Sequence, residues 1–152
     1  MRAFLIAWLL FPLLAFAGVT EYAPKGTFSE SFLILAEDVR DAAKAGRRVV
    51  LFFEQEGCPA CLKMARTTFA DGAVAERLRQ RFVLLVVDIF GARETVWLDG
   101  VARSEKDLAK RLGITGTPTV MILDEQGKSA RQFIGYRDAR AFQAILDAAA
   151  PK

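Results

Sequence analysis

Cys58 and Cys61 are the only cysteines of this 152-residue chain, set three positions apart in Cys58-Pro59-Ala60-Cys61, and there is no histidine anywhere. A zinc site needs about four Cys, His or carboxylate ligands, and a haem attachment needs a histidine after the second cysteine, so both usual competitors for such a pair lack their partners. The missing histidine also removes the Ser-His, Cys-His and metal-His constellations. A purely structural disulfide would close so short a loop that little chain entropy is removed. Thiol-disulfide exchange is the chemistry that remains. No motif for NAD(P), flavin or a metal accompanies it, so no cofactor is expected.

The pair must be held by the elements around it. It directly follows the apolar run Val49-Val50-Leu51-Phe52-Phe53, which reads as a buried strand over about 48–54, and a Gly57 turn, and it opens a helix. That helix is expected to break near Thr67 to Asp71 and to continue to about Gln80. Phe82-Val83-Leu84-Leu85-Val86-Val87-Asp88 reads as a second buried strand, being short, unbroken and rich in β-branched residues. A helix is expected upstream over 29–45, with Phe32, Leu35, Ala36, Val39, Ala42 and Ala43 at helical spacing, Ser29 as its cap and Gly46 as its stop. Ser104-Glu105-Lys106-Asp107 resembles a capping box, with Asp in place of the usual Glu or Gln, for a helix ending at Gly113. Thr119-Val120-Met121-Ile122-Leu123 and Ala130-Arg131-Gln132-Phe133-Ile134 flank the turn Asp124-Glu125-Gln126-Gly127 and predict an antiparallel pair. A last helix is expected from Asp138 to Ala149.

The N-terminus sets the compartment. Met1 and Arg2 are followed by the apolar run from Ala3 to Leu14 and by Ala15-Phe16-Ala17, a basic start, short apolar core and small-x-small site that predict a signal peptide over 1–17, cut after Ala17. The alternative is a retained anchor facing the periplasm, but the stretch is marginal for the ~20 residues of a spanning helix and contains Pro12. Residues 18–152 then form one domain. With 21 basic against 18 acidic residues the charge is nearly balanced. Arg77-Leu78-Arg79-Gln80-Arg81 reads as the solvated side and basic end of a helix, and no nucleic-acid partner is expected. At 53% hydrophobic residues the chain has ample material for a core.

This order of helix, strand, Cys-x-x-Cys helix, strand, helix, strand pair and helix resembles the thioredoxin fold, an α/β architecture with a central mixed sheet flanked by helices. The resemblance spans the mature domain and rests on three matches in order. Cys58-Pro59-Ala60-Cys61 stands where the family carries its active-site motif. Thr117-Pro118, in Gly113-Ile114-Thr115-Gly116-Thr117-Pro118-Thr119, matches the loop with a cis-proline facing that motif. Gly135 resembles the glycine that lets a substrate chain approach. Among relatives the chain is similar to the exported bacterial thioredoxins of the SoxW type. Two features depart from the cytosolic pattern. The family's buried carboxylate, six positions before the first cysteine, is Phe52 here; Glu54 and Glu56 lie nearer and read as solvated acids at a strand end, with a relay through water as the alternative. The segment 90–103 is longer than usual and reads as an inserted hairpin, in which Trp97 is expected to pack down rather than face a partner.

The resemblance implies the roles. A sulfur at a helix N-terminus is favoured as thiolate, which makes Cys58 the nucleophile and the deeper Cys61 the resolving thiol. Pro59 fits the first helical turn. Thr117, Pro118 and Gly135 would hold a substrate backbone beside Cys58. The expected function is that of a periplasmic protein-disulfide reductase, acting on disulfides of exported proteins and supplied with electrons by a membrane thiol transporter. The alternatives are a disulfide donor, or a binding or chaperone module of the same fold without turnover.

Overall fold

The computed structural model describes residues 18–151, so the expected signal peptide lies outside the described residues. Its centre is a four-stranded mixed sheet in the order β2-β1-β5-β6, built from β1 (Arg48–Glu54), β2 (Phe82–Asp88), β5 (Thr119–Leu123) and β6 (Ser129–Ile134). β1 and β2 run parallel from Arg48 opposite Phe82 to Glu54 opposite Asp88, while β5 is antiparallel to both β1 and β6. Val49 to Phe53 are all buried because helices cover both faces of β1. Alternation along the strand divides them. Val50 and Phe52 pack with Met64, Phe69, Leu78, Phe142 and Leu146 on one face; Val49, Leu51 and Phe53 pack with Val39, Ala42 and Ala109 on the other. Four edge-to-face or tilted aromatic pairs link Phe28, Phe52, Phe69 and Phe142 under the Cys pair. This is the thioredoxin fold.

The helices on the first face are α2 (Pro59–Lys63), α3 (Gly72–Arg81) and α5 (Ala139–Ala149); α1 (Leu35–Lys44) and α4 (Glu105–Arg111) cover the second. The expected break after α2 takes the form of a π turn over Met64–Thr68, closed by Phe69 N–H donating to the Met64 carbonyl at 3.0 Å. Asp71 then caps α3 by accepting from Ala73 and Val74. The run Arg77 to Arg81 ends α3 as expected: Leu78 is buried, Arg77 pairs with Asp147 at 2.8 Å, and Arg81 donates to the Pro151 carbonyl. Ser104 caps α4, but Asp107 closes only half of a capping box, since its short carboxylate takes the Ser104 hydroxyl at 2.8 Å.

The first helix starts later than the spacing predicts. Ser29 is not its cap; its N–H donates to the Leu84 carbonyl on β2 at 2.8 Å, which holds the chain extended. Phe32 is 91% exposed, and Leu33 turns the chain at φ 56° while burying its own side chain. Ala36 is exposed rather than in the core. A non-glycine residue at such a φ is strained, so tertiary burial of Leu33 has overridden helical spacing here. Its carbonyl accepts from Val96 N at 2.9 Å, tying this turn to the inserted hairpin of β3 (Glu94–Val96) and β4 (Ala102–Ser104). Trp97, at the hairpin's tip, is half-buried and packs onto the second face of the core.

Candidate active site

β1 runs out at Glu54, and the next four residues turn the chain into α2. Cys58 occupies the N-cap of α2 and accepts the Cys61 N–H at 3.1 Å, while Pro59 fills the first helical position, where a missing N–H leaves no bond unmade. Cys58 and Cys61 are joined in a disulfide with their Cα atoms 5.3 Å apart. Cys58 is 7% exposed and Cys61 1%, so the first sulfur is the more open of two nearly enclosed ones.

Because β5 is antiparallel to β1, the loop before it lies at the end of the sheet where the Cys pair sits. The Thr117-Pro118 bond is cis and Pro118 is buried. Thr117 Oγ1 donates to Gln55 Oε1 at 3.1 Å, and Gln55 O accepts from Cys58 N at 3.3 Å, so one residue fastens the proline loop to the Cys loop. Gly135, just beyond β6, donates its N–H to the Pro118 carbonyl at 2.7 Å. Its φ of 88° favours glycine, and a Cβ there would meet nothing nearer than Arg137 Nη1 at 3.7 Å. Cys58, Cys61, Thr117, Pro118 and Gly135 thus gather at one end of the sheet.

Cys58 opens on a pocket of about 420 Å³ that it shares with Val19, Tyr22, Glu54, Leu62 and Asp88. A short 3-10 turn, Val19–Tyr22, brings the start of the described chain against this helix, with Val19 buried. No cation neutralises Glu54 or Asp88 among the described residues. Arg93 is engaged with Glu105 and the Val86 carbonyl, both at 2.8 Å. Lys63 at the end of α2 lies over the Tyr136 ring and Arg66 in the π turn over Tyr22, each at 4.4 Å, so both cations are stacked on aromatics. Among the described residues no group of three or more Cys, Asp or Glu side chains is placed to hold a metal ion.

Glu54 corrects an expectation. Glu56 is exposed, as read, but Glu54 is half-buried, and burial followed by the charges of Asp88, Glu105 and Glu56 pushes its carboxyl up from 4.5 to about 7. Glu105 itself is held in place by the Asp88 N–H at 3.2 Å and by the absence of a side chain on Gly91, where a Cβ would strike its carboxylate. A carboxyl with a raised folded-state value binds its proton more tightly folded than unfolded. That contribution to stability is complete below pH 4.5 and is lost as pH rises through about 7. Glu54→Gln is therefore expected to match wild type near pH 4 and to exceed it at pH 8, by roughly 1–2 kcal/mol once solvent screening is allowed for. Urea midpoints at the two pH values check this, and a gap independent of pH would contradict it.

The fold and the cysteine geometry define a thioredoxin-fold thiol-disulfide oxidoreductase. The chain belongs to the thioredoxin-like domain family, whose model matches residues 35–150. It is 32% identical over 111 residues to the thiol:disulfide interchange protein DsbD of Pectobacterium atrosepticum, and 34% identical over 111 residues to that of Ralstonia nicotianae. Each alignment covers 72% of this chain, but only 18% and 17% of those longer proteins. In fold it is similar to the oxidised C-terminal domain of DsbD from Neisseria meningitidis, with a TM-score of 0.56 at 20% identity, covering 80% of this chain and 97% of that one.

Several residues at the site carry no signal of their own in the sequence. Gln55 is an ordinary polar residue in a turn, and its bond to Thr117 depends on two loops meeting. Asp88 ends a strand, and only the parallel register places it opposite Glu54. Tyr136, directly after Gly135, meets Thr67 Oγ1 through its hydroxyl at 3.3 Å.

Proposed function

We propose that this protein is exported to the periplasm, cut after Ala17, and reduces disulfides of other exported proteins through a Cys58-Cys61 dithiol cycle. The observation that carries this is Cys58 at the cap of α2, its sulfur accepting the Cys61 N–H, at the sheet end that also holds the cis Thr117-Pro118 loop. Cys58 as thiolate attacks the substrate disulfide, forms a mixed disulfide and expels one substrate thiol. Cys61 then attacks Cys58, closes the Cys58-Cys61 bond and releases the second thiol. Thr117, Pro118 and Gly135 hold the substrate backbone; Gly135 leaves the wall of the groove free of a side chain.

Electrons return from a membrane thiol transporter by the same exchange run on the oxidised pair. This is supported by the similarity to proteins named for thiol:disulfide interchange, and by the lack of any pyridine-nucleotide motif in the chain. An insulin-reduction assay on the wild type tests the function, and an inactive reduced protein would refute it. The two thiols are also expected to differ. Alkylation at neutral pH should label Cys58 well before Cys61, since exposure and hydrogen bonding both favour its thiolate. Mass mapping of the first adduct reads the order, and equal rates at both positions would contradict the assigned roles.

A further inference from the structure

β alternation places Glu54 on the same sheet face as Val50 and Phe52, the face that α2 covers with the Cys pair. Asp88, in register with Glu54 on the neighbouring strand, follows Phe82, Leu84 and Val86 on that face. Two acids side by side on paired strands repel and weaken a sheet, yet no ion pair relieves them among the described residues. Both line the pocket on which Cys58 opens.

We propose that Glu54, with Asp88 beside it, is the proton-exchanging residue for Cys58 and for the thiolate that leaves the substrate. The proposal rests on the reductase reading above. The Cys58 thiol gives its proton to the Glu54 carboxylate. The Cys58 thiolate attacks the substrate disulfide, one S–S bond forming as the other breaks, and the expelled thiolate takes the proton from Glu54. The carboxylate is restored, and the two electrons of the new bond are accounted for within the exchange. The charge of Asp88 raises the proton affinity of Glu54, because a like charge nearby disfavours its ionised form. The other charges facing Glu54 are those of Glu105, clamped by Arg93, and Glu56; all but Arg93 favour proton retention.

Two disulfides of different leaving groups separate this from a structural role. Reduction of glutathione disulfide expels an alkyl thiolate that needs a proton, whereas a nitroaryl disulfide expels a stable anion that needs none. Glu54→Gln at pH 7 is expected to slow the first by at least about tenfold, at the low end of acid-base contributions, and the second by a clearly smaller factor, since the nitroaryl reaction loses only the base for Cys58 and not the acid for the leaving thiolate. Glu54→Asp should recover part of the loss. Asp88→Asn should move the break in the pH profile of glutathione disulfide reduction downward, since one opposing charge is gone. A parallel fall on both substrates would show a structural role and overturn the proposal, as would an unchanged glutathione rate in Glu54→Gln. Wild type that reduces neither disulfide would overturn the reductase reading itself, which keeps the two failures apart.

Discussion

Cys58→Ser is expected to abolish disulfide reduction, and Cys61→Ser to convert turnover into accumulation of mixed disulfides. The two outcomes differ because the two sulfurs sit differently. Cys58 caps α2 and borders the open pocket, whereas Cys61 lies one turn into the helix, packed in the core cluster with Phe52 and 1% exposed. A serine at 58 supplies no sulfur to make the first bond, so the rate should fall to that of uncatalysed exchange. A serine at 61 leaves the attack intact and removes the only thiol placed to resolve it. Covalent adducts should appear on non-reducing gels of periplasmic extract mixed with reduced Cys61→Ser, and should vanish with dithiothreitol. Adducts formed instead by Cys58→Ser would reverse the assignment. The same trap identifies the substrates, because the mixed disulfide holds each one to Cys58.

The strands were legible because their signals are local. β1 and β2 fall where the apolar runs predict, since a strand covered on both faces must be apolar throughout. The chemistry of the Cys pair was legible from residue types and spacing, while the proline loop and Gly135 were placed only through the resemblance to the thioredoxin fold. What escaped depends on contacts between distant segments. The Phe32 to Leu33 stretch has helical spacing, but it turns outward because Leu33 finds a buried place beside the inserted hairpin, a contact no spacing records. Glu54 reads as a surface acid at a strand end; its burial is a matter of packing, and the charges of Asp88 on the paired strand and of Glu105 across a loop reach it through register and the room left by Gly91. Gln55 is in the same position, since its role appears only once Thr117 stands opposite.

The second large effect concerns redox poise. Strong oxidants of this fold stabilise their reduced state through a thiolate of pKa about 3.5, against about 7 in thioredoxin. Here the intervening Pro59 and Ala60 offer no donor or charge to the Cys58 sulfur, which leaves the Cys61 N–H as the side of the helix that favours the anion. Lys63 and Arg66 are stacked on Tyr136 and Tyr22. Glu54 and Asp88 share the Cys58 pocket, and when ionised they disfavour a second negative charge there. The two carboxylates thus raise the energy of the reduced, thiolate form, and the Cys61 N–H is left as the one group that lowers it. Oxidant and reductant differ by roughly 150 mV, or about 7 kcal/mol for a two-electron couple, more than a stray surface charge supplies. A potential near about -250 mV is therefore expected, rather than one near about -120 mV.

Equilibration of the protein in graded thiol-disulfide buffers, followed by counting of free thiols, measures this directly. A midpoint near about -250 mV is the result a reductase requires, whereas a midpoint near about -130 mV would contradict it and make the protein a disulfide donor.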